Sequence, residues 1–479
     1  MSNPSHDASR PGSVTLQELL EPGRVEESFS DKKPLYSTAE AMAESERCLY
    51  CTDAPCINAC PTEIDIPTFI KKIASGNVRG SAKTIFEQNL LGYSCARVCP
   101  VEELCVGRCV YNGWGREPIQ IGRLQRYATE IATNPAEKPL LTKKPATGRK
   151  VVCIGAGPAS LAFAGYMVLE GHSAVVLEKA PVPGGLNTTG IAPYKLKAAD
   201  AVHEVEWLLG LGVELASGVD VGGEGGPTGK ELLIKYDAVF IGVGLGADTR
   251  LNVPGEDGPG VLGAIQWIEQ MKLGRDQVRP AGRVLVIGGG NTAIDVAREC
   301  ALLGAEDVGM VYRRGKDEMS GYAHEMAGAR KEGVHLVEHA VVSSFVRDAS
   351  GKLTGAKLAR AASGRPVVGS EWEVPCDLVV VAIGQSKLHA LAKEFPEVEL
   401  DAKGCFSVDK ATCQTKNPKV FAGGDCINGG KEVVNAVADG RNAARFLTAQ
   451  WHDSRPTLQP VATPKASAPA TSTPAEGGE

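Results

Sequence analysis

An apolar strand that runs into a glycine turn and then into a helix occurs twice in this sequence, and this repeated pattern constrains the fold most. The first copy is Val151–Ile154 followed by Gly155–Ser160, and the second is Val284–Ile287 followed by Gly288–Ala293. Such a turn aims backbone N–H groups at a pyrophosphate from the start of a helix. The sequence therefore predicts two Rossmann-like α/β units, consistent with 56 glycines and only 5% aromatic residues.

The first turn has the surroundings that a dinucleotide site requires. Gly155 permits the turn, and Gly157 lets the backbone approach the pyrophosphate. Glu178 ends the next strand, where its carboxylate can accept hydrogen bonds from an adenosine ribose. Ser160 replaces the usual third glycine or alanine but is small enough for helix–strand packing. The alternative is a glycine turn without a ligand, which the strand, helix and acid together disfavour.

The second turn lacks that acid. Its following strand, Val308–Tyr312, leads into Arg313 and Arg314 instead. Guanidinium groups suit a 2′-phosphate, so this pair favours NADPH over NADH. The alternative is that both arginines only solvate a loop.

The two units are predicted to interleave. A further flavoprotein-like segment, Val420–Asp425, follows Ile383-Gly384, which suggests that the second unit is inserted into the first. The residues after about Asp453 are rich in Pro, Ala, Thr and Ser and are expected to be disordered.

Two tandem sites imply FAD in one and a nicotinamide in the other. Hydride transfer between them requires the nicotinamide C4 near flavin N5 and no acid or base from the protein, so no catalytic side chain is predicted. Flavin disulfide reductases share this layout but need a cysteine pair beside the flavin. Gly184–Thr189 carries no cysteine, and Cys300 has no nearby partner. The electrons should therefore leave by another route.

Eight of the fourteen cysteines lie between Cys48 and Cys109. The spacing is close to that of bacterial ferredoxins, and two [4Fe-4S] clusters are the natural interpretation. Zinc is the main alternative, but a neighbouring flavin favours a redox centre, because zinc carries no electrons. The eight cysteines are Cys48, Cys51, Cys56, Cys60 (before Pro61), Cys95, Cys99 (before Pro100), Cys105 and Cys109.

The region around these cysteines is predicted to be helical. Ser37 and Glu40 form a capping box for a first helix, and Pro67 and Gly76 delimit a second one. Residues 1–36 are weakly patterned. A last helix spans Ile121–Ala132, with an apolar stripe of Ile121, Leu124, Ala128 and Ile131. Gln125 lies on this stripe, where its carboxamide should need a partner.

Charge and hydropathy exclude several other classes. The net charge of −6 offers no basic face for nucleic acid, and the N-terminus lacks the apolar core of a signal peptide. No apolar run reaches the length of a membrane span. We therefore expect a cytoplasmic protein with neither nucleic acid nor membrane as a partner.

The cysteine segments together with Leu91–Pro100 and Ile121–Arg126 resemble the dihydropyrimidine dehydrogenase family, over about residues 36–450. The same architecture occurs in glutamate synthase small subunits and in electron-bifurcating ferredoxin–NADP oxidoreductases. The resemblance implies one cluster held by Cys48, Cys51, Cys56 and Cys109 and another held by Cys60, Cys99, Cys105 and Gln125. Cys95 would be a bystander, unless it replaces Gln125 as a ligand. Related families tend to carry glutamate at the glutamine position, so Gln125 discriminates between them.

The resemblance also assigns the nucleotide sites. For FAD it implies Gly155, Ala156, Gly157, Pro158, Ala159, Ser160, Glu178, Lys179, Gly184, Gly185, Leu186, Lys195, Gly424 and Asp425. For NADPH it implies Gly289, Gly290, Asn291, Thr292, Arg313 and Arg314, with Ile383 and Gly384 near the nicotinamide. Lys195 stands where the pyrimidine enzymes often have arginine. Some bacterial members prefer NADH, so the family does not settle the nucleotide.

In this family, pyrimidine reduction takes place at FMN in a barrel domain, for which we find no segment here. We expect a separate FMN and iron–sulfur subunit that accepts the electrons and reduces uracil or thymine. The expected division is an N-terminal extension (1–36), a helical double-cluster domain (37–135), a discontinuous FAD domain (146–275 and 386–450), an NAD(P)H domain (276–385) and a disordered tail (453–479).

Overall fold

The computed structural model describes residues 15–133, 139–274, 280 and 282–453. The first part of the described chain makes two short 3₁₀ helices, Leu16–Leu19 and Val25–Ser28. Leu16, Leu20, Val25 and Phe29 are all buried. The weakly patterned N-terminal extension is thus packed onto the molecule from residue 16 onward.

Helices form the cysteine-rich region, as predicted. Within residues 37–133 they are α1 (Thr38–Glu46), α2 (Pro55–Asn58), α3 (Ile66–Ala74), α4 (Val78–Gln88), α5 (Gly92–Val98), α6 (Val110–Gly113) and α7 (Ile121–Ala132). The capping box at α1 is present, because the Glu40 N–H donates to Ser37 and the Ser37 N–H donates to Glu40. The prediction for one position of the apolar stripe on α7 was wrong, since the Ile131 side chain is 46% exposed and Ala132 is buried instead.

Strands and helices alternate in the rest of the described chain. The strands are β1 (Lys150–Ile154), β2 (Ser173–Glu178), β3 (Glu214–Ser217), β4 (Ala238–Ile241), β5 (Val261–Gly263), β6 (Arg283–Ile287), β7 (Asp307–Val311), β8 (His335–Val337), β9 (Ala340–Arg347), β10 (Leu353–Ala362), β11 (Arg365–Pro366), β12 (Trp372–Pro375), β13 (Leu378–Val381) and β14 (Val420–Ala422). The helices are α8 (Pro158–Leu169), α9 (Leu186–Thr189), α10 (Ala198–Gly210), α11 (Gly229–Lys235), α12 (Ala264–Leu273), α13 (Asn291–Leu302), α14 (Ala323–Lys331), α15 (His389–Ala392), α16 (Asp425–Asn428) and α17 (Val433–Asp453).

Two parallel five-stranded sheets carry the predicted turns. The first has the strand order β14-β4-β1-β2-β3, and the second has the order β5-β13-β6-β7-β8. A smaller antiparallel sheet, β9 to β12, extends from the second. β14 follows the whole second sheet in the chain and nevertheless pairs with β4 of the first. One glycine turn follows the carboxyl end of β1 in the first sheet, and the other follows the carboxyl end of β6 in the second.

A single hydrophobic core continues from the cysteine-rich helices into the first sheet unit. The rings of Phe86 in α4 and Trp207 in α10 lie 4.4 Å apart, and Leu90 packs against Gly165 in α8. This shared core fixes the cysteine-rich region relative to the first sheet. Among the described residues, no helix combines the length and apolar character that crossing a bilayer requires.

Candidate functional site

The turn after β1 needs glycine at two positions for different reasons. Gly155 has φ +86°, and a Cβ there would lie 2.8 Å from the Gly242 carbonyl oxygen. Gly157 is the N-cap of α8, with φ −79°, and its Cβ would meet only that same oxygen, at 3.6 Å. Gly155 thus makes the turn, and Gly157 keeps the space before the helix N-terminus open, as a pyrophosphate would require.

Glu178 lies at the end of β2, beside this turn. Its carboxylate accepts the Ala156 N–H at 2.6 Å and the Ala180 N–H at 2.7 Å. These two bonds fix the carboxylate next to the pyrophosphate position, where a ribose would lie. Lys179 points away, since its largely exposed ammonium pairs with Asp220 at 2.8 Å. Ser160 is fully buried against β1, as its small size allows.

Two other predicted glycine segments converge on the same turn. The Gly184 N–H donates to the Ala156 carbonyl at 3.0 Å, and a Cβ on Gly185 would lie 2.9 Å from the Gly157 Cα. Leu186 then begins α9. These contacts close one side of the space before α8.

Gly424 and Asp425 close the other side. A Cβ on Gly424 would lie 3.2 Å from that of Ala159, which follows Pro158 in the first turn of α8. The Gly424 N–H donates to Asp439 at 2.9 Å. Asp425 accepts the Lys431 N–H at 3.0 Å, and burial raises the pKa of Asp425. The structure therefore brings four separate predicted segments to one edge of the first sheet.

Lys195 lies apart from this group, in a buried ion network. Its ammonium is 2.7 Å from Asp295 and 3.2 Å from Glu325, both of which belong to the second unit. Its observed role is therefore to tie the two sheet units together.

The second turn resembles the first in its backbone. Gly288 has φ +148°, and a Cβ on Gly289 would strike the Tyr312 ring at 2.5 Å. Gly290 is the N-cap of α13, whose first residue, Asn291, accepts the Tyr322 N–H at 2.8 Å. Thr292 is exposed beside them. Residues 320–322 pack beside this helix N-terminus, which is where a second phosphate group would bind.

The arginine pair follows β7 on this edge. Arg313 is exposed and packs beside Gly364 in the β10–β11 turn. Arg314 is partly buried, with its guanidinium 5.5 Å from the Tyr312 ring centroid and 4.0 Å from Glu318. At the neighbouring end of β13, Ile383 is 42% exposed and Gly384 has φ +110°. The structure brings these predicted residues to the open edge of the second sheet.

Two separate cavities collect the clustered cysteines. The first is lined by Cys48, Cys51, Cys56 and Cys109 together with apolar side chains from α3 and α7. Burial raises the pKa of Cys48 and raises that of Cys56 to about 12. These four cysteines are the set that the resemblance assigns to one cluster.

The second cavity is lined by Cys60, Cys95, Cys99 and Cys105 with Gln125. Gln125 is 9% exposed, and its Nε2 donates to the Gly92 carbonyl at 2.8 Å, which leaves the side-chain oxygen available to a ligand. A hydrogen bond with Cys95 and burial raise the pKa of Cys99 well above its ordinary value. Both Cys95 and Gln125 therefore line the cavity as candidates for a fourth ligand beside Cys60, Cys99 and Cys105.

Zinc and a four-iron cluster place different demands on the thiolates that bind them. Throughout the described chain, no three or more His, Cys, Asp or Glu side chains are placed to hold a single metal ion. A tetrahedral zinc site needs thiolate sulfurs about 3.8 Å apart, because each Zn–S bond is about 2.3 Å. A four-iron cluster binds each thiolate through a different iron and so spreads its ligands more widely. The two kinds of centre therefore require different distances between their thiolate sulfurs.

Sequence reasoning missed residues that shape both sites. Gly242 follows β4 and packs against the first turn, and Gly244 comes two residues later with φ +62°. This alternation of glycines at a strand end could have been noticed. Lys33 donates from its ammonium to the Cys99 carbonyl at 2.7 Å. No sequence signal marks Lys33, because it lies in an unpatterned segment.

Two family models match the chain in tandem. Residues 24–136 match dihydropyrimidine dehydrogenase domain II, 4Fe-4S cluster. Residues 149–440 match the pyridine nucleotide-disulphide oxidoreductase family. The boundary between the two models coincides with the passage from the cysteine-rich helices to the first sheet.

Curated relatives cover nearly the same length. The glutamate synthase [NADPH] small chain of Escherichia coli is 35% identical over 85% of this chain and 91% of its own. The NAD-dependent dihydropyrimidine dehydrogenase subunit PreT of Escherichia coli is 32% identical over 86% of this chain and 95% of its own. Among solved structures, the thioredoxin reductase of T. acidophilum superposes with a TM-score of 0.50 at 22% identity, covering 64% of this chain and 99% of its own. That likeness concerns the fold of the two sheet units.

Proposed function

We propose a function on the premise that this chain belongs to the family of NAD(P)H-dependent flavoprotein and iron–sulfur oxidoreductase subunits that includes the glutamate synthase small chains and PreT. Within this family, we propose that it is the electron-input subunit of a dihydropyrimidine dehydrogenase. It would take hydride from NADPH and deliver electrons to a partner that reduces uracil or thymine at the 5,6 double bond.

The position of Gln125 carries this proposal. It lines the second cysteine cavity with its amide nitrogen engaged, so its oxygen is free to act as a ligand. A neutral amide in place of a fourth thiolate is the pattern that the pyrimidine family uses, whereas its relatives tend to use glutamate.

The cofactors are FAD, NADP(H) and iron–sulfur clusters, and we propose two [4Fe-4S] clusters. FAD, when bound, accepts hydride from the nicotinamide and releases electrons one at a time. In the proposed site, the α8 N-terminus binds the FAD pyrophosphate and Glu178 orients its ribose. The α13 N-terminus binds the NADPH pyrophosphate, and Arg313 with Arg314 holds the 2′-phosphate.

We further propose the domain division and cluster ligands expected from the sequence. The FAD domain comprises residues 146–275 and 386–450, and the NADPH domain, residues 276–385, is inserted in it. The return of β14 to the first sheet supports the insertion, whereas β5 (Val261–Gly263) already pairs with β13 of the second sheet before the proposed boundary. The first cluster would use Cys48, Cys51, Cys56 and Cys109, and the second would use Cys60, Cys99, Cys105 and Gln125. Lys195 would reach FAD only by giving up its ion pairs with Asp295 and Glu325.

A second candidate is the small subunit of a glutamate synthase. The 35% identity with the Escherichia coli glutamate synthase small chain favours it, and the two candidates share every step up to the clusters. They differ in the partner, which is an FMN and iron–sulfur subunit in one case and a glutamine-hydrolysing subunit in the other. For either candidate we propose a cytoplasmic location, since both consume a reduced nicotinamide.

Partner-dependent oxidation of NADPH separates the candidates. The full chain, purified anaerobically with its cofactors, is mixed with each candidate partner and then with uracil or with 2-oxoglutarate and glutamine. We expect oxidation that requires both the FMN subunit and uracil. Oxidation that requires 2-oxoglutarate and glutamine would overturn the pyrimidine proposal, and reduction of ferredoxin without either partner would indicate a bifurcating enzyme.

A further inference from the structure

Two adjacent lysines near the N-terminus extend in opposite directions. Lys32 pairs with Glu325 of the second sheet unit at 2.6 Å. The Lys33 ammonium instead donates to the Cys99 carbonyl at 2.7 Å, on the wall of the second cysteine cavity. Of these two lysines, Lys33 is therefore the one that places a positive charge at that cavity.

The segment around Lys33 is fixed from both sides. The Lys32 N–H donates to the Tyr194 carbonyl at 2.9 Å. On the other side, Arg126 donates to Asp31 and to the Lys33 carbonyl, and Arg123 donates to the Pro34 carbonyl at 3.0 Å. Both arginines lie on α7 close to Gln125. The helix that supplies the glutamine thus also positions the lysine.

The charged end of Lys33 is enclosed although part of its stem is exposed. Burial lowers the pKa of Lys33, whereas Cys99, Glu102 and Cys105 act electrostatically in favour of the charged form, and Gly122 of α7 lies beside the ammonium. Interactions between charges in such an enclosed position are stronger than at the surface and are screened little by salt. A cation there stabilises added negative charge in the cavity.

We propose that Lys33 raises the reduction potential of the cluster held by Cys60, Cys99, Cys105 and Gln125. Reduction adds one negative charge to the cluster, and net charge and hydrogen bonding near the ligands are among the factors that set its potential. The inference rests on the proposed ligand set but on neither the partner nor the substrate. Lys33 touches a ligand residue's backbone and acts through charge, so it is a positioning residue rather than a catalytic one.

The alternative is a purely structural role, in which Lys33 only donates a hydrogen bond to the Cys99 carbonyl and stabilises the backbone there. Four substitutions separate the two roles. Lys33→Met removes the charge and the donor, Lys33→Gln removes the charge but keeps a donor, and Lys33→Arg keeps both. Lys32→Met, one residue away, removes the ion pair with Glu325 without changing the charge at Cys99.

The test is a redox titration followed by electron paramagnetic resonance, on the anaerobically purified full chain with FAD and clusters loaded and no partner present. We expect one cluster signal, the one that Gln125→Glu also alters, to shift to lower potential in Lys33→Met and Lys33→Gln. The other cluster and the flavin keep their potentials, and Lys33→Arg and Lys32→Met behave like the wild type.

An unchanged potential in Lys33→Met overturns the inference, and so does an equal shift in Lys32→Met, since that would reflect packing of the segment. If Lys33→Met fails to retain the cluster, the reduction potentials of Lys33→Gln and Lys33→Arg are compared instead. Equal potentials in those two variants overturn the inference. A wild-type chain with only one cluster signal would instead contradict the proposed two-cluster function, so the two failures are distinguishable.

Discussion

Replacing Gly157 by alanine is expected to weaken FAD binding strongly while leaving the fold intact. The added Cβ meets no atom closer than the Gly242 carbonyl oxygen at 3.6 Å, and alanine readily adopts the φ of −79°. The methyl group would nevertheless project into the open space before α8. Because that is the space through which a pyrophosphate must approach the backbone, the substitution separates binding from folding.

The magnitude follows from the contact that is lost. One hydrogen bond to a charged group contributes about 1.5–3 kcal/mol. Its loss raises the dissociation constant of FAD roughly 10- to 150-fold. The free energy of unfolding should change by less than about 1 kcal/mol, because alanine is a poorer N-cap than glycine but restricts the unfolded chain.

The assay is titration of the flavin-free protein with FAD, followed by flavin fluorescence, together with urea unfolding of the same samples. Gly210→Ala is the matched control, since an added Cβ there has no atom within 4 Å. Gly155→Ala should behave differently, because φ +86° and a 2.8 Å contact with the Gly242 oxygen strain the folded state. We expect it to lose about 1–2 kcal/mol from backbone strain and about 1–3 kcal/mol from overpacking. Wild-type FAD affinity in Gly157→Ala would refute the assignment of this turn.

Three further outcomes are expected. Arg313→Asp should raise the KM for NADPH roughly tenfold or more and leave the KM for NADH nearly unchanged, because it removes a charge-assisted bond to the 2′-phosphate. Equal effects on the KM of both nucleotides in steady-state kinetics would contradict the assignment of Arg313 to the 2′-phosphate. Burial raises the pKa of Glu204 to about 7, so the folded chain holds this proton more tightly than the unfolded chain does. The contribution of Glu204 to stability is therefore complete below the pKa of the unfolded chain and is lost as pH rises through 7. In urea unfolding, the free energy of unfolding of the wild type should fall by about 2 kcal/mol between about pH 5.5 and 8 relative to that of Glu204→Gln. If the free energies of unfolding of the two proteins change with pH in parallel, this prediction is contradicted. Lys272 is fully buried and donates to the carbonyls of Asn187, Ile191 and Leu196. Lys272→Met should cost about 3 kcal/mol in the same assay by leaving these acceptors unpaired, and a loss below about 1 kcal/mol would show that they find other donors.

Features that depend on near neighbours in the chain could be predicted from the sequence. The strand before each glycine turn, β1 and β6, begins one residue before its predicted start and ends at the predicted residue. The helix with Gln125 has the predicted bounds, Ile121–Ala132. In these cases an apolar run, a capping residue or a glycine marks the boundary locally.

Features that depend on distant parts of the chain could not be predicted in this way. Leu16, Leu20, Val25 and Phe29 are buried, but their spacing matches neither a helix nor a strand, so the first described segment gave no signal. Ile131 was placed on a buried stripe because the period of α7 allows it, yet the packing at that end of the helix buries Ala132 and leaves Ile131 exposed.

Ion pairs across the fold are a second example. Lys195 with Asp295 and Lys32 with Glu325 join residues at least 100 positions apart. Only the packing of the sheet units and the first segment against one another brings these charges together. The candidate ligands could be listed from the sequence, and the family resemblance divided them into two sets; the structure adds that each set lines a cavity of its own.

The content of the two cysteine cavities tests the central claim most directly. Protein purified under strict exclusion of air is analysed for iron, acid-labile sulfide and zinc, and its paramagnetic signals are recorded after addition of NADPH. The account predicts about eight iron atoms and about eight sulfides for each FAD, with cluster signals that NADPH generates. Zinc without labile sulfide, or flavin that bleaches with NADPH while no iron signal develops, would contradict it.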